Sequence, residues 1–60
     1  MTIEQATKEL ALLIMMKQGT PVQETLDLIP KPVTPNILRA YAAVTLGDPY
    51  AYYVDRLLEV

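Results

Sequence analysis

The stretch Glu9–Gly19, ELALLIMMKQG, decides the fold of this chain of 60 residues. Every residue from Leu10 to Met16 is apolar, and the stretch ends at a glycine of the kind that closes helices. The apolar run is far shorter than the about 20 residues of a membrane-spanning helix. It therefore predicts the end of a soluble helix that is apolar on every side, and the outer side of such a helix needs a cover.

The residues upstream make the first half of this helix amphipathic. At 100° per residue, one face gathers a stripe that we expect in the core: Ile3, Ala6, Leu10, Leu13 and Ile14. The opposite face starts polar and later carries Leu12, Met15 and Met16. Either the third and fourth helices cover these three side chains, or the three form a surface for a dimer or another partner. We favour the second interpretation, because four short helices wrap one side of a helix more easily than both sides.

Cap residues followed by proline predict where the other helices begin. An N-cap residue has an extended backbone, a residue before proline favours that conformation, and proline is tolerated at the first helical position. Three such pairs occur: Thr20-Pro21, Thr34-Pro35 and Asp48-Pro49. Two pairs have the spacing of a capping box: Thr2 with Gln5, and Thr20 with Gln23.

These signals predict an all-α fold, a compact bundle of four short helices in one domain over residues 1–60. The helices are expected at roughly 3–18, 21–29, 35–46 and 49–59. Gly19 and Gly47 are expected to end the first and third helices in the left-handed conformation, and Pro30-Lys31-Pro32 cannot continue the second. The halves resemble each other at an offset of 28 residues, as two helical hairpins would, which leaves open whether they arose by duplication.

The other helices also have predicted buried faces. These are Val22, Leu26 and Ile29 in the second; Ile37, Leu38, Tyr41 and Val44 in the third; and Tyr50, Ala51, Val54, Leu57 and Leu58 in the fourth. The third helix has a single charge, at Arg39, so we expect it to be central. Tyr53 and Val60 are expected at the edge of the buried face of the fourth helix.

The size of the chain predicts self-association. A chain of 60 residues buries only about 60% of the surface that its unfolded form exposes, so its stability margin is thin. The sequence has no cysteine for disulfides and no histidine, and the usual structural zinc ligands are therefore missing. Oligomerisation is the remaining common source of stability for small domains. We therefore expect a homo-oligomer, most simply a homodimer.

The sequence offers no catalytic or cofactor site. Histidine and cysteine, the commonest general base and the strongest common nucleophile, are absent. The acid pairs Glu24–Asp27 and Asp55–Glu59 fall on faces that we expect to be exposed. We expect no enzyme activity, no metal and no cofactor. The first residues are acidic and do not resemble a secretory signal, so we expect a soluble, cytoplasmic protein that does not bind membranes.

A second candidate contact surface lies on the outer side of the fourth helix. Tyr52 and Arg56 are four residues apart, one helical turn, and could stack as a cation–π pair. Tyrosine and arginine are enriched among the residues that dominate binding energy at protein interfaces. The alternative is a solvated helix face on which an amphipathic tyrosine lies flat.

DNA binding is the other function that we considered. The second and third helices could form a helix-turn-helix, with Asn36 and Arg39 at the groove. The connector from Pro30 to Thr34 is stiff and long for a motif whose turn has three or four residues. Phosphate contacts dominate DNA affinity, and the chain has only 5 basic residues against 7 acids.

The sequence therefore predicts a small acidic protein that binds proteins and is not a catalyst. It would self-associate through Leu12, Met15 and Met16 and bind another protein as an adaptor, regulator or inhibitor, of the kind that phages and mobile elements often encode. Tyr52 and Arg56 complete the predicted interface residues. A small helix-turn-helix-like DNA-binding regulator is the alternative.

Overall fold

A computed structural model describes residues 1–59, and all of its regular secondary structure is helical. Helix α1 spans Ile3–Gln18, α2 spans Val22–Leu28, α3 spans Pro35–Leu46 and α4 spans Pro49–Glu59. The all-α fold of four short helices is thus confirmed, with helix ends that differ from the prediction by one residue or less. Val60 lies outside the described residues. No helix in residues 1–59 is long and apolar enough to cross a membrane.

Two helix starts form as the sequence predicts. At α1, Gln5 N donates to Thr2 Oγ1 at 3.1 Å, and Thr2 N donates to Gln5 Oε1 at 3.1 Å, which completes a capping box. At α3, Ile37 N donates to Thr34 Oγ1 at 3.2 Å, and a proline occupies the first helical turn. Each side chain satisfies a backbone N–H that the helix itself leaves without a partner.

The start of α2 differs from the prediction. Pro21, rather than Thr20, is the N-cap residue, with φ −56° and ψ 141°, and no side chain caps the helix. Its ψ is extended rather than helical, so the first helical residue is Val22. The predicted capping box does not form, since the side-chain amide of Gln23 donates to Asp27 Oδ1 at 3.0 Å instead.

The two glycines end their helices in different ways. Gly19 follows α1 with φ 76° and ψ 9°, the left-handed conformation that we predicted. Gly47 follows α3 with φ 116° and ψ 157°. This second conformation is extended with a positive φ, a region that only glycine occupies readily. The prediction of a left-handed residue is therefore correct at Gly19 and wrong at Gly47.

Helix α1 organises the packing, because it contacts each of the other three helices. Helices α3 and α4 form the most extensive helix pair, whereas α2 packs against α1 alone among the described helices. Helices α1 and α4 run antiparallel: Met1 N donates to Leu57 O at 3.0 Å, and Lys17 Nζ lies 5.5 Å from the ring centroid of Tyr50. The hairpins α1–α2 and α3–α4 thus share a core along α1.

That core is small and aliphatic. Its members are each at most 2% exposed: Ala6, Leu10, Ile14, Ile29, Leu38, Ala42 and Val54. Val44, which we expected in the core stripe of α3, is 87% exposed, whereas Ala42 is fully buried. Two residues along a helix differ by about 200°, so burial of one places the other on the outer side. The small Ala42 side chain lets α3 approach its neighbours closely.

The folded surface matches that of an ordinary monomer. The accessible surface is 3898 Å². The scaling law for folded monomers gives about 3,900 Å² for a chain of 6.7 kDa. The folded chain therefore exposes as much surface as a typical monomer of its size. Self-association has to be argued from particular patches rather than from an excess of exposed area.

Candidate interaction surface

An apolar patch lies on the outer face of α1. Leu12 is 41% exposed, Met15 is 39% exposed and Met16 is 79% exposed. Residues at this spacing are neighbours on a helix, and we call these three side chains the α1 patch. Leu10 and Ile14 of the same helix are buried on its opposite side. Within the fold, Leu12 and Met15 are therefore partly covered, and Met16 is mostly open to solvent.

The helix end that carries the α1 patch contacts both α3 and α4. The side-chain amide of Gln18 donates to Thr45 O at 2.7 Å, which fixes the end of α1 to the end of α3. The Lys17 ammonium lies over the ring of Tyr50 in α4. A binding surface on a helix loses less conformational entropy on association than one on a mobile loop.

The second candidate surface is exposed but does not form the predicted stack. Tyr52 is 73% exposed, and Arg56 is also exposed, so both lie on the outer side of α4 as predicted. The cation–π contact that the structure shows within residues 1–59 joins Lys17 to Tyr50 instead. An exposed cation–π pair gains only about 0.5–1 kcal/mol, which is comparable with the side-chain entropy lost in holding arginine still.

The two residues considered for DNA contact are engaged within the fold. Arg39 Nη1 donates to Asp55 Oδ1 at 2.8 Å, forming an ion pair between α3 and α4. Arg39 Nη2 donates to Asn36 Oδ1. A guanidinium that already binds a carboxylate and an amide has fewer donors to offer a phosphate or a base edge. In addition, α2 and α3 make no close contact within the described helices, whereas the helices of a helix-turn-helix form a compact pair.

The acidic side chains are spread over the surface. Within residues 1–59, no three His, Cys, Asp or Glu side chains come together in a group that could hold a metal ion. Among these residues, Tyr53 is the one with a resolved change in pKa. Burial, and secondly the negative charge of Glu9, raise the pKa of the Tyr53 phenol above its ordinary value of 10.0. This change stabilises the neutral phenol at the junction of α1 and α4.

Two open grooves accompany these surfaces. The larger groove, of about 430 Å³, lies between α1, the end of α2 and the connector that follows α2. Its lining includes apolar Ile3, Leu26 and Val33 together with Lys8 and Lys31. The smaller, of about 260 Å³, runs along α3, and its lining is uncharged: Pro30, Ile37, Ala40, Tyr41 and Val44.

Sequence reasoning missed two features that bear on the surface. The first is the apolar outer side of α3, where Val44 was expected in the core. The second is Thr25 of α2, which is fully buried and for which the sequence analysis made no prediction. For Val44, the sequence showed only that it belongs to an apolar side of α3. No comparable signal pointed to Thr25, because a buried threonine breaks the apolar pattern.

Comparison with known proteins gives no family for this chain: no family model matches it, and neither a curated protein nor a solved structure is significantly similar to it. The function therefore has to be argued from the surface itself.

Proposed function

We propose that this protein is a non-catalytic protein-interaction module that acts as a homodimer through the α1 patch and, in that form, binds another protein as an adaptor, regulator or inhibitor. The exposure of Leu12, Met15 and Met16 on one face of α1 carries the proposal. Isolated exposed apolar residues are ordinary. A group of adjacent ones is typical of contact surfaces, where methionine is also enriched.

Methionine suits this role for a physical reason. Its unbranched thioether side chain adapts to irregular surfaces and makes polarisable contacts with whatever lies opposite. Two adjacent methionines, Met15 and Met16, therefore form a deformable apolar surface. Neither methionine belongs to the core cluster, whereas the neighbouring Ile14 is 1% exposed.

The outer side of α4 supplies the contact to the second protein. Tyr52 presents an amphipathic ring and Arg56 an exposed cation, a combination enriched at interface hot spots. The α1 patch is then free to pair with its own copy. Replacing Arg56 with alanine should disturb assembly with the other protein and leave the fold unchanged, because Arg56 makes no contribution to the core cluster.

DNA binding is the weaker alternative. The pairing of Arg39 with Asp55 and Asn36, and the lack of contact between α2 and α3, do not favour it. Its test is the mobility of a labelled duplex at low salt, where weak electrostatic binding is strongest. We expect no shift at high micromolar protein. A shift that is lost on replacing Arg39 with glutamine would instead support the alternative.

Molar mass measured by light scattering, over a series from low micromolar to near millimolar protein, tests the homodimer. The double variant Met15→Glu, Met16→Glu should remain helical by circular dichroism. At concentrations where the wild type associates, its molar mass should be lower than that of the wild type. Neither side chain belongs to the core, so the fold is expected to tolerate both charges. The matched control is Leu28→Glu, on α2, because Leu28 is 62% exposed and gains the same kind of charge.

A double variant that associates as strongly as the wild type would contradict the α1 patch as the contact. So would a double variant that unfolds while the wild type is a monomer, since the patch would then be part of the core. If the Leu28→Glu control also has a lower molar mass than the wild type, the weaker association is due to net charge rather than to the patch.

A further inference from the structure

The larger groove combines apolar side chains with positive charge. Ile3, Leu26 and Val33 supply the apolar part of its lining, and Lys8 and Lys31 supply two cations. Its volume of about 430 Å³ lies within the about 300–1,000 Å³ that is usual for small-molecule sites. The proposed function uses none of these residues. We call this site the α1–α2 groove.

The fold holds the apolar part of this lining in place. Ile3 and Val33 are half-buried and pack against the core cluster. Leu26 is half-buried in α2, which packs against α1. The groove is thus a concave edge of the packed molecule rather than a loose loop. An apolar chain that enters it leaves water for a surface of apolar side chains, which is favourable.

Lys8 brings a positive charge to the α1 side of the groove without a counter-charge of its own. It is exposed, and within residues 1–59 it forms no ion pair. Glu4 lies one turn away on the same helix and also lines the groove, but its carboxylate does not pair with Lys8. Glu4 is in the first turn of α1, where the helix dipole stabilises a negative charge.

Lys31 brings a second positive charge, on the connector side of the groove. Its Nζ donates to Leu26 O at 2.9 Å and contacts Ile29 O at 3.5 Å. Both acceptors are neutral carbonyls, so the positive charge is not cancelled. An ammonium group has three donors, and at least one of them is left for a ligand. The two carbonyl contacts also fix the position of the ammonium beside the groove.

We propose that the α1–α2 groove binds a free medium-chain carboxylate, with its alkyl chain on the apolar lining and its carboxylate towards Lys8 and Lys31. Charge selects this ligand. The lining has two cations and one anion, Glu4, whereas the whole chain has a net charge of −2. A positive site on a negative protein attracts an anionic head group and disfavours a cationic one. The site does not depend on the proposed homodimer.

The open shape of the groove makes the binding weak. At the binding efficiency that is usual for small ligands, octanoate should have a Kd of roughly 1 mM. Each lysine should contribute only a few-fold to this affinity, because both are exposed and their pairing with a carboxylate is screened by water and salt. The groove therefore needs both the alkyl chain and the charge of the ligand.

NMR titration of the whole chain with octanoate tests the site. We expect saturable shifts of the backbone amides around the α1–α2 groove and little change in α4, which does not line it. Octylammonium has the same alkyl chain with the opposite charge, and acetate has the carboxylate without the chain. Both should bind about fivefold more weakly or less.

Variants with opposite expected effects sharpen the test. Lys8→Gln removes a cation and should raise the Kd for octanoate about threefold, whereas Glu4→Gln removes the anion and should lower it. Lys31→Gln should also raise the Kd, but it removes the contacts at the end of α2 as well. Lys17→Gln is the matched control, because it removes the same charge at the far end of α1, and it should leave the Kd unchanged. Circular dichroism checks the helix content of each variant.

Three results would overturn the inference. The first is the absence of saturable shifts with octanoate, and the second is equal affinity for octanoate and octylammonium. The third is a Kd that is the same in the wild type, Lys8→Gln and Glu4→Gln. Binding to phosphatidylglycerol vesicles without any shift on adding octanoate also contradicts a site for a free carboxylate and assigns the groove to a lipid surface. The molar mass of the protein enters none of these results, so the homodimer can fail while the groove site stands.

Discussion

Gly19 and Gly47 show how a single residue type serves two backbone conformations. Both have positive φ, but Gly19 is left-handed helical, whereas Gly47 is extended. A Cβ atom at Gly19 would meet nothing within 4 Å, and one at Gly47 would meet Pro49 Cδ at an ordinary 3.8 Å. The constraint at both positions is therefore the backbone itself rather than crowding.

Asparagine distinguishes these two conformations, because it tolerates the left-handed region. We expect Gly19→Ala to lower the free energy of unfolding by about 1 kcal/mol, with Gly19→Asn costing less. At Gly47, alanine and asparagine should both cost about 1–3 kcal/mol, since this region is essentially closed to other residues. Chemical denaturation of the four variants measures the difference. Equal tolerance of asparagine at both sites would argue against the extended conformation of Gly47.

Thr25 is a polar residue that the fold buries without a partner. Its Oγ1 has no hydrogen-bond partner, and the side chain is fully buried. Thr25→Val keeps the shape and removes a hydroxyl whose burial costs about 1–3 kcal/mol. We expect the variant to unfold at a higher temperature, with a gain of about 1 kcal/mol.

Thr7→Val is the matched control for this prediction. Thr7 is only 8% exposed, but its hydroxyl donates to Ile3 O at 2.7 Å. Valine there loses a hydrogen bond, so we expect no gain in stability. A Thr25→Val variant that is less stable than the wild type would show that the buried hydroxyl has a role in the folded protein.

At the scale of elements, α2 differs from the other helices. It has 7 residues and no side-chain cap at its start. Its end is held by the connector, where Lys31 Nζ contacts Leu26 O at 2.9 Å and Ile29 O at 3.5 Å. A cation at a helix C-terminus stabilises both the free carbonyls and the helix dipole. A short helix with one packing neighbour depends on such contacts more than a long one.

We therefore expect the amides of α2 to exchange with solvent faster than those of the other three helices, because α2 can open while α1, α3 and α4 stay packed. Lys31→Met keeps the unbranched stem and removes the cation, so it should accelerate exchange in α2 and leave α3 unchanged. Hydrogen exchange resolved by NMR measures both. Uniform protection across the four helices would contradict independent opening of α2.

The helices were predictable because their ends are encoded locally. Thr2 with Gln5, and Thr34 with Pro35, specify helix starts through contacts within one turn, and these form as expected. The exposed faces were less predictable. An apolar pattern shows that Val44 belongs to an apolar helix side, but which side meets a neighbour depends on the placement of α2, which no local signal encodes.

At the scale of the whole molecule, stability should depend on pH through Tyr53. Its raised pKa means that the folded state keeps the phenolic proton to a higher pH than the unfolded state does. The folded protein then binds more protons than the unfolded one above about pH 10, and stability falls as the pH rises from there. Below the ordinary tyrosine pKa, Tyr53 makes no pH-dependent contribution.

Glu9→Gln should weaken this loss of stability, because it removes the nearby negative charge that raises the pKa of Tyr53. The melting temperature followed from neutral to strongly alkaline pH, with Tyr53→Phe as the reference that lacks the group, isolates its contribution from the other titrating side chains. Glu24→Gln, which removes a charge on α2, is the control. If the alkaline slopes of Glu9→Gln and the wild type coincide, Glu9 has no effect on Tyr53.

The two methionines of the α1 patch also make this surface chemically changeable. Met16 is 79% exposed and Met15 is 39% exposed, so oxidants in solution can reach both thioethers. Oxidation to the sulfoxide turns a flexible apolar side chain into a polar one, and reductases can reverse it. Because the core contains no methionine, oxidation would alter the outer face of α1 without loosening the helices beneath it. If the α1 patch forms the proposed contact, that contact would then depend on the oxidation state of its methionines.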